Sequence, residues 1–68
     1  MTRAYVVRGQ VNLVLDQYDA AEIALSEAIK LSRHLPEAFV LRSRAYLAFG
    51  REGQAARDIE IAERLKGG

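Results

Sequence analysis

Arg42 and Asp58 are the two side chains whose types and placement could make one strong, directional interaction. A guanidinium and a carboxylate can form two parallel, charge-assisted hydrogen bonds. The two residues lie on successive helical patterns, and a hairpin between those patterns would bring them to matching depth. The alternative is that Arg42 lays its aliphatic stem along the surface and pairs with nothing. Arg8 finds Ala24 at the corresponding place, which leaves Glu27 as its weaker candidate partner.

The other groups that could do chemistry are scattered. His34 is the single histidine, next to Pro36 in a connecting stretch, so it reads as a solvated loop side chain. A metal site needs several clustered ligands, and no second one is near it. Glu60 and Glu63 share a helix face, as do Asp19 and Glu22, and they read as exposed charges. Ser26, Ser32 and Ser43 lack the neighbouring base that a nucleophile needs. Phosphate loops and zinc spacings are missing from the sequence. The expectation is a protein with no catalytic residues, no metal and no cofactor.

These residues must be positioned by helices. Apolar residues recur at three- and four-residue steps in four stretches: about Thr2–Leu15, Tyr18 or Asp19–Arg33, Glu37–Phe49 and Glu52–Leu65. Thr2 can cap the first, and Asp19 with Glu22 forms a capping-box-like pattern at the second. Pro36 opens the third, where its missing N–H costs nothing. Gly50 and Asp16 stand where the third and first helices must stop, and both residue types accept a left-handed cap. Lys30 and Arg33 suit the C-terminal end of the second helix. The first helix has two apolar faces, with Val6, Leu13 and Val14 on the second of them. Such a helix is buried on two sides or presents one face to a partner. Gly67 and Gly68 read as a frayed tail or as the point where a longer array was cut.

Composition narrows the class. Half of the 68 residues are apolar and 28% are charged, a globular balance. The net charge of +1 gives no push toward nucleic acid or a membrane surface. There is no cysteine, hence no disulfide staple, and the default expectation is the cytoplasm. No apolar run approaches a membrane span, and MTRAYVVRG has no signal-peptide core with a cleavage site. A chain this short is normally marginal in stability.

Shifted by half its length, the chain lies on itself. Ala4 falls on Ala38, Val6 on Val40, Arg8 on Arg42, Leu13 on Leu47, Ala21 on Ala55, Ala28 on Ala62 and Leu31 on Leu65. These identities fall at helical spacing inside the apolar pattern, which marks a repeat architecture. The unit resembles the tetratricopeptide repeat, a helix–turn–helix of 34 residues. Phe39 takes its first aromatic place and Tyr46 its Tyr place, followed by Ala55, Ile59 and Ala62. In the first unit Tyr5, Gly9, Ala21, Leu25 and Ala28 follow in the same order. Arg8 and Arg42 depart from the usual Leu, Asn12 from the Tyr, Ser43 from the Gly, and Pro36 comes a few residues late.

The resemblance implies an all-α fold of two stacked antiparallel hairpins in one domain, with repeats over about 2–35 and 36–66. It also implies a concave surface lined by the first helix of each unit. Carried over by position, that surface comprises Arg3, Val6, Val7, Gln10, Leu13 and Val14, then Glu37, Val40, Leu41, Arg44, Leu47 and Ala48. The Lys, Arg and Asn clamp with which some members hold a C-terminal carboxylate is largely Val and Leu here. The groove would suit an apolar or amphipathic helical segment or another copy of the chain; equally, these residues could be core against a further unit. The expected function is protein or peptide binding. The alternatives are self-association and an excised or engineered piece of a longer array. Repeats of this kind normally need about three units, with a polar cap at the ends. Ile59, Ile61 and Leu65 on the last helix are therefore expected to join a homo-oligomer contact, with a two-fold dimer the commonest form. Ile61 should lie off the hairpin face.

Overall fold

The computed structural model describes residues 1–67. They form four α-helices and no strand: α1 (Thr2–Val14), α2 (Tyr18–Leu31), α3 (Pro36–Ala48) and α4 (Glu52–Gly67). α1 packs on α2 and α3 on α4, and the two hairpins stack mainly through α2 against α3, with a smaller contact between α1 and α3. α4 touches α3 alone among the helices. Gly67 is the last residue of α4, and Gly68 lies outside the described residues.

Both hairpins turn in the same way. Asp16 has φ 59° and Gly50 has φ 76°. Asp16 N–H donates to Leu13 O at 3.1 Å and Gln17 N–H to Asn12 O at 2.8 Å. One unit later Gly50 N–H donates to Leu47 O at 3.0 Å and Arg51 N–H to Tyr46 O at 2.9 Å. Each pair of bonds satisfies carbonyls that the end of a helix leaves without partners, in the Schellman pattern.

The helices start where the sequence places them, but their caps differ from the expectation. Thr2 does not cap α1: Tyr5 N–H reaches back to Met1 O at 3.3 Å, so Met1 is the cap and Thr2 is already helical. Asp19 does not cap α2. The turn after α1 is so short that the helix starts at Tyr18, with Gln17 as cap and no side-chain cap bond. Asp19 instead sits in the first turn, where its charge favours the helix dipole. Pro36 is the first residue of α3.

Small residues set the helix crossings. Ala21, Ala24 and Ala28 on α2, and Ala55 and Ala62 on α4, are buried. At Gly9 the backbone of α1 comes close to α2. An added Cβ would stand 2.6 Å from Leu25 Cγ and Cδ2. The central cluster joins Val6, Leu25 and Ala28 of the first unit to Ala38 and Leu41 of the second, with Tyr5, Leu13, Ile29 and Leu35 around it. One core therefore spans the joint between units. Ala55→Leu should overpack the α3–α4 crossing and cost about 1–3 kcal/mol. Its thermal midpoint should fall relative to Ala56→Leu, which adds the same bulk at an exposed position; equal midpoints would contradict the close crossing.

Candidate functional site

Among the described residues a dense polar constellation is centred on α3, whose Arg42 links α4 on one side to α2 on the other. Arg42 projects from α3, and its Nε donates to Asp58 Oδ2 at 2.9 Å while Nη2 donates to Asp58 Oδ1 at 2.9 Å. This two-pronged pair is largely out of water, with the Arg42 side chain 18% exposed and that of Asp58 3% exposed. Arg42 Nη1 donates onward to Ser26 Oγ on α2 at 3.2 Å, and the Ser26 hydroxyl donates to Glu22 Oε2 at 2.9 Å. The guanidinium carbon also lies 5.7 Å from the Phe39 ring centroid and 5.4 Å from that of Tyr46. The bond to Asp58 raises the Arg42 pKa above its ordinary value, and burial opposes it.

Each member of the arrangement has a partner within it. The carboxylate, the guanidinium and the serine hydroxyl all have partners. Among the described residues no buried side-chain nitrogen or oxygen is left without one. A closed network of this kind fixes the geometry of three helices and holds no reactive group ready. Glu22, expected on an exposed face, is half-buried as the last member of the network. The sequence pattern gave no sign of Ser26 and Glu22, because their link to Arg42 crosses from one unit to the next.

Arg8 lies 5.8 Å over the Tyr5 ring and makes no ion pair among the described residues. Glu27, its weaker candidate partner, pairs with Lys30 at 3.3 Å instead.

The second candidate region is the surface shared by α1 and α3. Two of the residues expected to line it do not. Val6 is fully buried and Leu41 is 9% exposed, so both belong to the core joining the units. The reason is the stacking of unit two on unit one, which covers the face that carries them. Val40 and Glu37 are half-buried, and Arg3, Val7, Gln10, Val14, Arg44, Leu47 and Ala48 are exposed. Arg3 Nη2 pairs with Glu37 Oε1 at 3.0 Å across the joint, a largely exposed bridge of small energetic weight.

At the other end of this surface is an open groove of about 520 Å³, lined by Leu13, Val14, Tyr18, Arg44, Leu47 and Ala48. Val14 is 81% and Leu47 56% exposed, so its walls are apolar and accessible. Arg44 is its charged point. Tyr18 is a lining residue that the periodicity did not single out. Its hydroxyl donates to Asp16 Oδ1 at 2.8 Å, and that bond, then the charge of Asp16, raises its pKa.

Ile59, Ile61 and Leu65 are half-buried on α4. The large apolar side chains left exposed lie elsewhere, at Val7, Val11, Val14 and Leu15 of α1 and its end, at Ile23 and Leu31 of α2, and at Leu47 and Phe49. His34 is exposed in the link between α2 and α3. No group of three His, Cys, Asp or Glu residues among those described is placed to hold a metal ion. No described helix is long and apolar enough to cross a membrane. Comparison of the chain with protein-family models, with curated proteins and with solved structures finds no match.

Proposed function

We propose that the chain is a protein-interaction module of tetratricopeptide type, without catalysis, that seats an apolar or amphipathic helical segment in the groove between α1 and α3. The observation that carries this reading is the groove itself: about 520 Å³, open, and walled by Leu13, Val14, Leu47 and Ala48 with Arg44 at its edge. Contiguous exposed apolar surface is one mark of an interaction site. An amphipathic helix would lay its apolar side on the valine and leucine walls and place an acidic residue toward Arg44. The polar network around Arg42 supports the absence of catalysis, because every member of it is already paired. The reading includes no cofactor and no nucleic-acid or membrane partner, and it places the module in the cytoplasm.

The test is binding of fluorescent amphipathic helical peptides, followed by anisotropy. Peptides with one Leu–Ala face and one acidic residue should bind. Ala48→Glu and Val14→Glu should each weaken binding at least about tenfold, which is roughly 1.4 kcal/mol. Arg44→Ala should weaken only the acidic peptides. Both glutamate replacements are at exposed positions, so the circular dichroism spectrum should not change. If the peptides bind the glutamate variants as well as the original chain, the groove is not the site.

A further inference from the structure

We propose that α1 is a docking face for a second copy of this chain, which stacks head to tail on the α3–α4 end of the first and continues the repeat. The argument is one of register. In α3 the residues Ala38, Leu41 and Ala45 are buried, the first two in the cluster that joins this helix to the first hairpin. Their counterparts one unit earlier are Ala4, Val7 and Val11, the same kinds of side chain on the same helix face. Among the described residues nothing covers them: Ala4 is exposed, Val7 is 45% and Val11 50% exposed.

The opposite end of the molecule offers the complementary surface. Unit one receives α3 with Val6, Leu13, Leu25 and Ala28. Their counterparts in unit two are Val40, Leu47 and Ile59, which are half-buried or exposed, and Ala62, which its own hairpin already covers; all four are apolar. A copy placed one unit further along would set Ala4, Val7 and Val11 against them.

The charges select this pairing. Across the existing joint Arg3 meets Glu37 at 3.0 Å. Moved one unit on, the same contact sets Glu37 of the first copy against Arg3 of the second, again opposite in sign. Across the same joint Arg42 Nη1 reaches Ser26 Oγ at 3.2 Å. The counterpart of Arg42 is Arg8, and the counterpart of Ser26 is Glu60. Arg8 makes no ion pair within its own chain among the described residues, because Ala24 stands where Asp58 would be. A stacked copy would give it a carboxylate. Glu63, in place of Ile29, is the one charged intrusion on the receiving surface, and it leaves the contact wetter than the joint within the chain.

This contact uses two different faces, so it is heterologous and can repeat beyond two copies. It shares Leu47 with the groove but is otherwise made of different residues, so a substitution at Ala48 distinguishes stacking from peptide binding.

The experiment is sedimentation velocity of the whole chain from low to high micromolar concentration, at low and high salt. The expected result is a concentration-dependent series of masses larger than a dimer, weakened by salt. Val7→Glu with Val11→Glu blocks the docking face, and Glu60→Arg with Glu63→Arg blocks the receiving face. All four positions are exposed, and each double variant should be a folded monomer by circular dichroism. Mixed together, the two variants should form a one-to-one complex and nothing larger, because each retains one intact face. Ala48→Glu should weaken peptide binding at least about tenfold and leave the stacking unchanged. A wild-type chain that stays monomeric at high micromolar concentration and low salt would overturn the proposal. So would a single closed dimer, or a mixture of the two variants that does not associate.

Discussion

Asp58→Ala should destabilise the protein by about 3 kcal/mol, the lower part of the range of about 3–5 kcal/mol for breaking a buried ion pair. The lower part applies because the Arg42 side chain is 18% exposed, so the stranded guanidinium can still reach water. The loss has two sources: two charge-assisted bonds at 2.9 Å disappear, and a cation remains among Phe39, Tyr46 and Ser26 without its counter-charge. Arg57→Ala, one residue away but exposed, should change stability by no more than about 0.5 kcal/mol. Urea unfolding followed by far-ultraviolet circular dichroism separates the two. Coincident midpoints for the Asp58 and Arg57 variants would show that the pair contributes nothing.

The second large effect is a coupling between Gly9 and Leu25. Leu25→Ala alone should cost about 2–5 kcal/mol, since Leu25 is fully buried in the cluster that joins the units. Gly9→Ala alone should cost about 1–3 kcal/mol. Its new methyl would stand 2.6 Å from two carbons of Leu25, and that clash outweighs the gain of about 1 kcal/mol in helix propensity. In the Leu25→Ala background the clash is gone and the methyl enters the space vacated. Gly9→Ala should then stabilise, so the two changes should be non-additive by more than 1 kcal/mol. Strict additivity across the double-mutant cycle would rule out the close approach of α1 to α2 at this point. A chain of this size has little stability to lose, so the cycle is best measured in a stabilising osmolyte.

The contrast between these two sites shows what could be read from the residues alone. Arg42 and Asp58 sit on the two arms of one hairpin, and the helical period brings them to the same depth. The extension through Ser26 to Glu22 passes between units, and no spacing along the chain encodes the way one hairpin leans on the next. The same gap explains Val6 and Leu41. Periodicity showed that α1 has two apolar faces, but which face is core depends on where α2 and α3 come to rest. The helix stops were legible because Gly50 and Asp16 are residues that accept a left-handed backbone. The caps of α1 and α2 were not. Capping residue types were at hand in Thr2 and Asp19, but the caps are Met1 and Gln17, one and two residues before them. The groove was partly legible, since the resemblance to the tetratricopeptide unit implied Leu13, Val14, Arg44, Leu47 and Ala48 on this surface. Tyr18 completes it only because the turn at Asp16 folds the start of α2 back beside α1.

That each hairpin packs only on itself and on its neighbour in the chain bears on how fast this protein can reach its native state. The contacts among α1, α2, α3 and α4 join mostly elements adjacent in sequence, and the two turns that create the hairpins are short. Closing such loops requires little search, because few distant segments must find each other before native contacts begin to form. The kinetic barrier should therefore be low, in the microsecond-to-millisecond class of small helical chains. It should arise chiefly at the step where the second hairpin settles on the first and closes the Val6–Leu25–Leu41 cluster.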